Sequence, residues 1–155
     1  MAVEIDLLSR QVVGWAMGSR IDMQLALDAL HIAVWHRRPS ATAIVHSNPG
    51  CQFTSHEWQR FLTDHNLRCS MRRRGGCHDN AVAKSFFQLL KRERIPTTYA
   101  TRQAARNDVF NYIEMFYNPI RSYSSTAGLS LVKLERRHPM KLKLSSKYWS
   151  IHLCN

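Results

Sequence analysis

The spacing of apolar positions divides the chain into short strands alternating with helices. Residues 2–7 (AVEIDL) and 11–17 (QVVGWAM) are β-prone runs split by Ser9-Arg10, and they read as a hairpin. Residues 22–36 put Met23, Ala26, Leu27, Leu30, Ala33 and Val34 on one helical face. Leu25, Ala29 and Ile32 widen that face, which predicts a mostly buried helix closed by Pro39. The compact apolar run 41–46 (ATAIVH) predicts a buried strand. Helix is predicted over 55–65, where Thr54 and Glu57 have capping-box spacing. Residues 68–73 (RCSMRR) suit a short strand, and Gly75-Gly76 a loop. Asn80 can cap a helix to about Arg94, with Val82, Phe86, Leu89 and Leu90 inward. Thr101 can cap another through Tyr117, with Ala105, Val109, Tyr112, Ile113 and Phe116 inward, until Asn118-Pro119 stops it. Past about residue 138 the segment KLKLSSKYWSIHLCN has no clear period and receives no structure. The order ββαβαβαα predicts an α/β layer fold with a small mixed sheet, a core over residues 1–138 and a divergent tail over 139–155.

Composition agrees with one folded domain: 155 residues, 45% of them hydrophobic. No apolar run approaches the roughly 20 residues of a membrane-spanning helix, so no membrane partner is expected. The opening MAVEIDLLSR carries two acids and no basic n-region, unlike a signal peptide, and a cytoplasmic protein is expected. Cys51, Cys69, Cys77 and Cys154 then read as reduced thiols. Charge is what changes the picture. The net charge is +11, and it is unevenly placed. Residues 1–70 hold six Lys or Arg and six Asp or Glu, while residues 71–106 hold nine and two. A neutral half joined to a basic half suggests a polyanion partner, most simply nucleic acid, or else no more than a solubilising surface.

Two stretches could carry chemistry. HSNPGCQFTS (His46 to Ser55) follows the buried strand, at the strand end where α/β sheets tend to place sites, although Asn48-Pro49 also suits an ordinary turn. CHDNAVAKSFFQLLKRER (Cys77 to Arg94) puts Lys84, Gln88 and Lys91 on one helical face, opposite Phe86 and Leu90. That face could contact phosphates, or could simply be solvated. Eight histidines are present without a CxxC or HxxxH pair, so zinc is not expected. Ser47 and Ser55 near His46 lack a nucleophile-elbow motif.

These stretches resemble the insertion-sequence transposases of the retroviral-integrase superfamily. AVEIDLLSRQVVGWAM is similar to the family's hairpin. HSNPGCQFTS is similar to its His-Ser-Asp-x-Gly-x-Gln-Tyr/Phe-x-Ser block, and CHDNAVAKSFFQLLKRE to its Asp-Asn-Ala-x-x-Glu-Ser-Phe-Phe-x-x-Leu-Lys-x-Glu block. YNPIRSYSSTAGLSLVKLE resembles its ending, so the likeness covers about residues 2–138. The resemblance implies a ribonuclease-H-like core, in which three carboxylates hold two Mg²⁺ or Mn²⁺ ions for DNA strand transfer.

The family's second and third acids have 35 residues between them, and so do positions 48 and 84. The acids themselves are replaced, by Asn48 and Lys84. The resemblance puts the first Asp on a strand upstream of Met1, so the chain would open within the family's second strand and lack the central one. Such a core would fold poorly, recruit another segment or depend on a partner chain. Asn48 offers a neutral oxygen and Lys84 no acceptor, so neither suits a hard divalent cation, and no resident cofactor is expected. Asp79 and Glu93 are poor substitutes, since Glu93 falls on the helical face opposite Lys84. What the resemblance leaves is an inactive core with residual DNA binding through Arg72, Arg73, Arg74, Lys84, Lys91, Arg92 and Arg94. Lys91 matches the family's cleft-facing lysine. The rival readings are a domesticated DNA-binding or regulatory protein, in which Lys84 is a gained phosphate contact, and a subunit active only with a partner chain's carboxylates. A second copy or a full-length transposase would be the protein partner.

Overall fold

The computed structural model describes residues 1–39, 42–47, 53, 55–71, 78–95, 98–122, 128–137 and 148–153. The elements run β1 (Ala2–Asp6), β2 (Val12–Ala16), α1 (Met23–Arg37), β3 (Ala43–Ser47), α2 (His56–Asp64), β4 (Leu67–Met71) and α3 (His78–Glu93). They continue with α4 (Arg102–Phe110), a π-helical stretch (Asn111–Tyr117), α5 (Leu131–Arg137) and β5 (Tyr148–Leu153). The sheet order is β2-β1-β5-β3-β4. β1 pairs antiparallel with β2 and β5, while β3 pairs parallel with β4 and β5. The mixed α/β architecture expected from the pattern is therefore present.

Local chemistry explains the hairpin. Asp6 Oδ1 accepts from the backbone N–H of Leu8 (2.9 Å) and of Ser9 (2.8 Å), an Asx-type turn. Arg10 takes a left-handed φ of 61°, which closes the reversal. Burial pushes the Asp6 carboxyl up, against the lowering effect of these N–H groups and of Arg37, 3.7 Å away. Helix α1 lies flat on the hairpin at Gly14. A Cβ there would come within 2.1 Å of the Ala29 carbonyl oxygen and 2.7 Å of the Ala33 nitrogen. Only glycine permits that approach.

Two cores sandwich the sheet. On one face α1 and α2 bury Leu30, Trp58, Phe61 and Leu62 against Val45, Trp149 and Ile151. On the other, α3 and the π-helical stretch bury Phe86, Leu90, Tyr112, Ile113 and Tyr117 against Val3, Ile5 and Val12. Asn118 ties the second layer to the sheet edge. Its side-chain amide donates to Val12 O (2.9 Å) and accepts from Val12 N–H (3.1 Å), as a neighbouring strand would.

Several expectations need adjusting. The central position of the sheet is filled, by β5, in the tail segment that showed no clear period. Trp149, Ile151 and Leu153 alternate with Ser150 and His152, a period of two that suits a strand. Helix α2 is capped by Ser55, whose hydroxyl accepts from Trp58 N–H (3.2 Å), and Thr54 lies outside the described residues. Helix α3 begins at His78, so Asn80 sits in its first turn instead of capping it. Thr101 does cap α4, accepting from Ala104 N–H at 3.0 Å. Phe116 is 39% exposed, because the wider π turn rotates it outward and brings Tyr117 inward. Ile32 is 37% exposed, at the outer edge of the α1 face.

Candidate nucleic-acid interface

Facing pairs in a ladder share a side of the sheet. The register pairs Val3 with His152, Ile5 with Ser150, His46 with Ser150, Ile44 with Tyr148, Ile44 with Arg68 and His46 with Ser70. All of these residues therefore lie on the side covered by α3. The apolar residues of α3 reach Val3 and Ile5, so the helix shields the β1 end of that side. Towards β4 the side opens: Arg68 and Tyr148 are exposed, and Ile44, His46 and Ser70 half-buried. Tyr148 lies parallel to His46, with ring centroids 6.5 Å apart.

Beneath this open strip β5 carries no acid. Ser150 and His152 are buried and bond to each other, Oγ to Nε2 at 2.6 Å. Lys84 follows buried Ala83 on α3 and is exposed, as are Gln88 and Lys91. These three form the outward face that the sequence spacing predicted. Among the described residues neither Lys84 nor Lys91 makes an ion pair. Asn48, Arg72, Arg73 and Arg74 lie outside the described residues. Among the described residues no three His, Cys, Asp or Glu side chains are grouped to hold a metal ion. Cys69 is a free thiol, 3.6 Å from the Ser47 hydroxyl.

The remaining basic candidates are committed within the chain. Arg92 lies 3.5 Å from Glu93, and Arg94 Nε lies 3.1 Å from Asp108. Glu93 also accepts from Tyr112 Oη (3.0 Å) and from Arg121. Burial raises the Glu93 carboxyl, but the bonds from Arg121 and Tyr112 and the Arg121 charge outweigh it and hold the group below its ordinary range. Glu93 is thus a structural anion, turned from Lys84 as the helical geometry predicts. Burial and then Asp108, 2.7 Å away, push the Tyr99 hydroxyl up to about 12.

Arg68 and Tyr148 did not emerge from the sequence. Arg68 belongs to the half with no net charge, and Tyr148 to the tail without a clear period. Alternation along RCSM and YWSIHL is the signal that places both on one side.

Comparison with known proteins gives a consistent picture. Residues 1–77 match a family described as an integrase core domain, and residues 84–141 a second family of the same description. The chain is similar to the transposase InsF for insertion sequence IS3A of Escherichia coli strain K12. The two are 45% identical over 139 residues, which is 89% of this chain and 48% of that protein. It is also similar to the transposase for insertion sequence element IS904 of Lactococcus lactis, with 40% identity over 125 residues, 80% of this chain and 49% of that protein. The chain thus spans about half the length of the curated relatives it matches. Among solved structures it resembles a chain of the simian T-cell lymphotropic virus intasome, solved in complex with PP2A regulatory subunit B56 gamma. The TM-score is 0.52 at 11% identity, covering 76% of this chain and 41% of that one.

Proposed function

Because the chain belongs to the integrase-core superfamily, within its insertion-sequence transposases, we propose that it is a transposase core that grips DNA without cutting or joining it. The observation that carries this reading is the chemistry of the site. Two-metal strand transfer needs anionic oxygens to hold the ions that activate the attacking group and stabilise the leaving one. Here Lys84 brings a cation to one acid position and Asn48 a neutral amide to another. The central strand of the sheet, β5, presents Ser150 and His152 on the side that α3 covers, already bonded to each other. These residues do not fit Mg²⁺ or Mn²⁺, and no step through a metal follows for this chain.

The same substitutions favour a phosphate. Lys84 and Lys91 are exposed seven residues apart on α3, and exposed Arg68 stands on the open strip of the sheet. Arg72, Arg73 and Arg74 follow β4 directly in the sequence and add three cations to the chain's basic half. Arg92 and Arg94 contribute at the far end of α3, weakened by their acidic partners. Exposed Tyr148 offers a ring on which an unpaired base can stack. Binding of this type reads the backbone more than the sequence. Among the described residues no helix is long and apolar enough to cross a membrane. In this reading the protein works on DNA in the bacterial cytoplasm, associated with the nucleoid when bound and free to pair with a second copy or a full-length transposase.

The test joins two assays on the purified chain. Duplex DNA carrying insertion-sequence ends is incubated with Mg²⁺ or Mn²⁺ and examined for nicks and joined products, while fluorescence anisotropy follows binding. The reading expects binding and no new strand ends. Metal-dependent cleavage that disappears in a Lys84→Ala chain would overturn it.

A further inference from the structure

The sheet is built from two pieces that do not pair with each other. One is the β1–β2 hairpin and the other the parallel pair β3–β4. Every ladder between them runs through β5, which makes five register pairs with β1 and four with β3. The bridging segment comes late in the chain, joined to α5 through residues 138–147, and its partners come from near the start.

The slot has definite chemistry. Its two walls are the inner edges of β1 and β3, rows of backbone N–H and C=O that an occupant must satisfy. An occupant must run antiparallel to β1 and parallel to β3. Trp149 and Ile151 are fully buried against α1 and α2, so the positions on that side must be large and apolar. On the other side Ser150 lies between Ile5 and His46, so that position must be small. These are requirements on an extended peptide, and none depends on how it is attached.

We propose that the space between β1 and β3 is a strand-acceptor site, filled here by the chain's own residues 148–153 and equally able to take that segment from a second copy. This is recognition by strand addition, with main-chain bonds supplying affinity and alternate side chains specificity. The occupant also decides which side chain stands beside His46 on the DNA-facing side, since register position 150 belongs to it. Exchange between copies keeps every contact described above and links two cores, so it favours dimers at high protein concentration.

The proposal is tested with the full chain carrying Ser150→Pro, which removes a ladder donor from a central strand. A synthetic peptide of residues 147–155 with the wild-type sequence is then added in excess. The variant alone is expected to lose its cooperative far-UV melt, and the peptide to restore it. A peptide carrying Trp149→Asp and Ile151→Asp is expected to do nothing. If the variant proves too insoluble to measure, wild-type protein is refolded from urea with the fluorescently labelled wild-type peptide. Incorporation that rises with peptide concentration is then expected, in competition with the tethered segment. A Ser150→Pro chain that melts like wild type would overturn the proposal. So would a soluble variant that the peptide leaves unfolded, or refolding that incorporates no label.

Discussion

Glu4 is an acid in the wrong place for stability, and replacing it has a calculable effect. It is fully buried in β1, between Gly14 and Ile151 in the ladder, on the side that α1 covers. Neither carboxyl oxygen has a hydrogen-bond partner among the described residues. Burial pushes its ionisation well above the ordinary carboxylate range of about 4.5. The folded state therefore holds a proton that the unfolded chain releases. The sign follows directly: stability falls as pH rises from the unfolded value toward the folded one, by up to about 1.4 kcal/mol per pH unit. An unsatisfied buried polar group costs about 1–3 kcal/mol in addition. Glu4→Leu removes both penalties at similar volume. For a chain of this size about 1–3 kcal/mol corresponds to a rise in Tm of about 2–12 °C. Urea unfolding of wild type and variant at pH 5 and pH 7 is the assay. The variant is expected to be more stable at both, with a wider gap at pH 7. Glu4→Gln, which keeps the polarity and removes the charge, should abolish Glu4's share of the pH dependence, leaving that of Asp6 and Glu93, and recover part of the stability. A gap that is absent, reversed or unchanged between the two pH values refutes the argument.

Other residues give independent tests. Gly14→Ala forces α1 off the hairpin and should cost at least about 1–3 kcal/mol in urea unfolding. Asn118→Ala strips Val12 of both its side-chain partners and should cost about 2–4 kcal/mol in the same assay, with the hairpin amides losing hydrogen-exchange protection first. The Glu93 carboxyl lies below its ordinary range, so its contribution is present at neutral pH and lost as pH falls. Glu93→Gln should therefore lower Tm at pH 7 and converge with wild type in acid.

Local pattern made most of the fold legible. The hairpin, α1 and β3 fall within two residues of where apolar spacing puts them, because the apolar run or face that defines each is contained in a local stretch of sequence. The cap of α2 slipped by one residue because Thr54 and Ser55 are adjacent hydroxyls, either of which can begin a helix. Phe116 turned outward because a 3.6-residue period does not anticipate a π turn. The largest miss was β5. Its alternation is brief, and both of its sides are buried, so Ser150 and His152 lack the exposure that marks polar strand positions. Its partners in β1 lie at the opposite end of the chain, a pairing no local window contains. At the site, the exposed face of Lys84 and Lys91 was readable from the buried Phe86 and Leu90 between them. The pairing of Arg94 with Asp108 was not, because it joins the turn after α3 to a separate helix, α4.

The most direct test of a DNA-gripping core with Lys84 as a phosphate contact is binding affinity, measured by anisotropy at 50 and 200 mM salt. The proteins are the wild-type chain and the Lys84→Glu,Lys91→Glu double variant. With four to six phosphate contacts, wild-type affinity should fall about 10²- to 10³-fold between the two salts. The double variant should bind weakly at 50 mM and show a shallower salt slope, while melting like wild type. Equal affinity and equal slope for the two proteins would contradict the account.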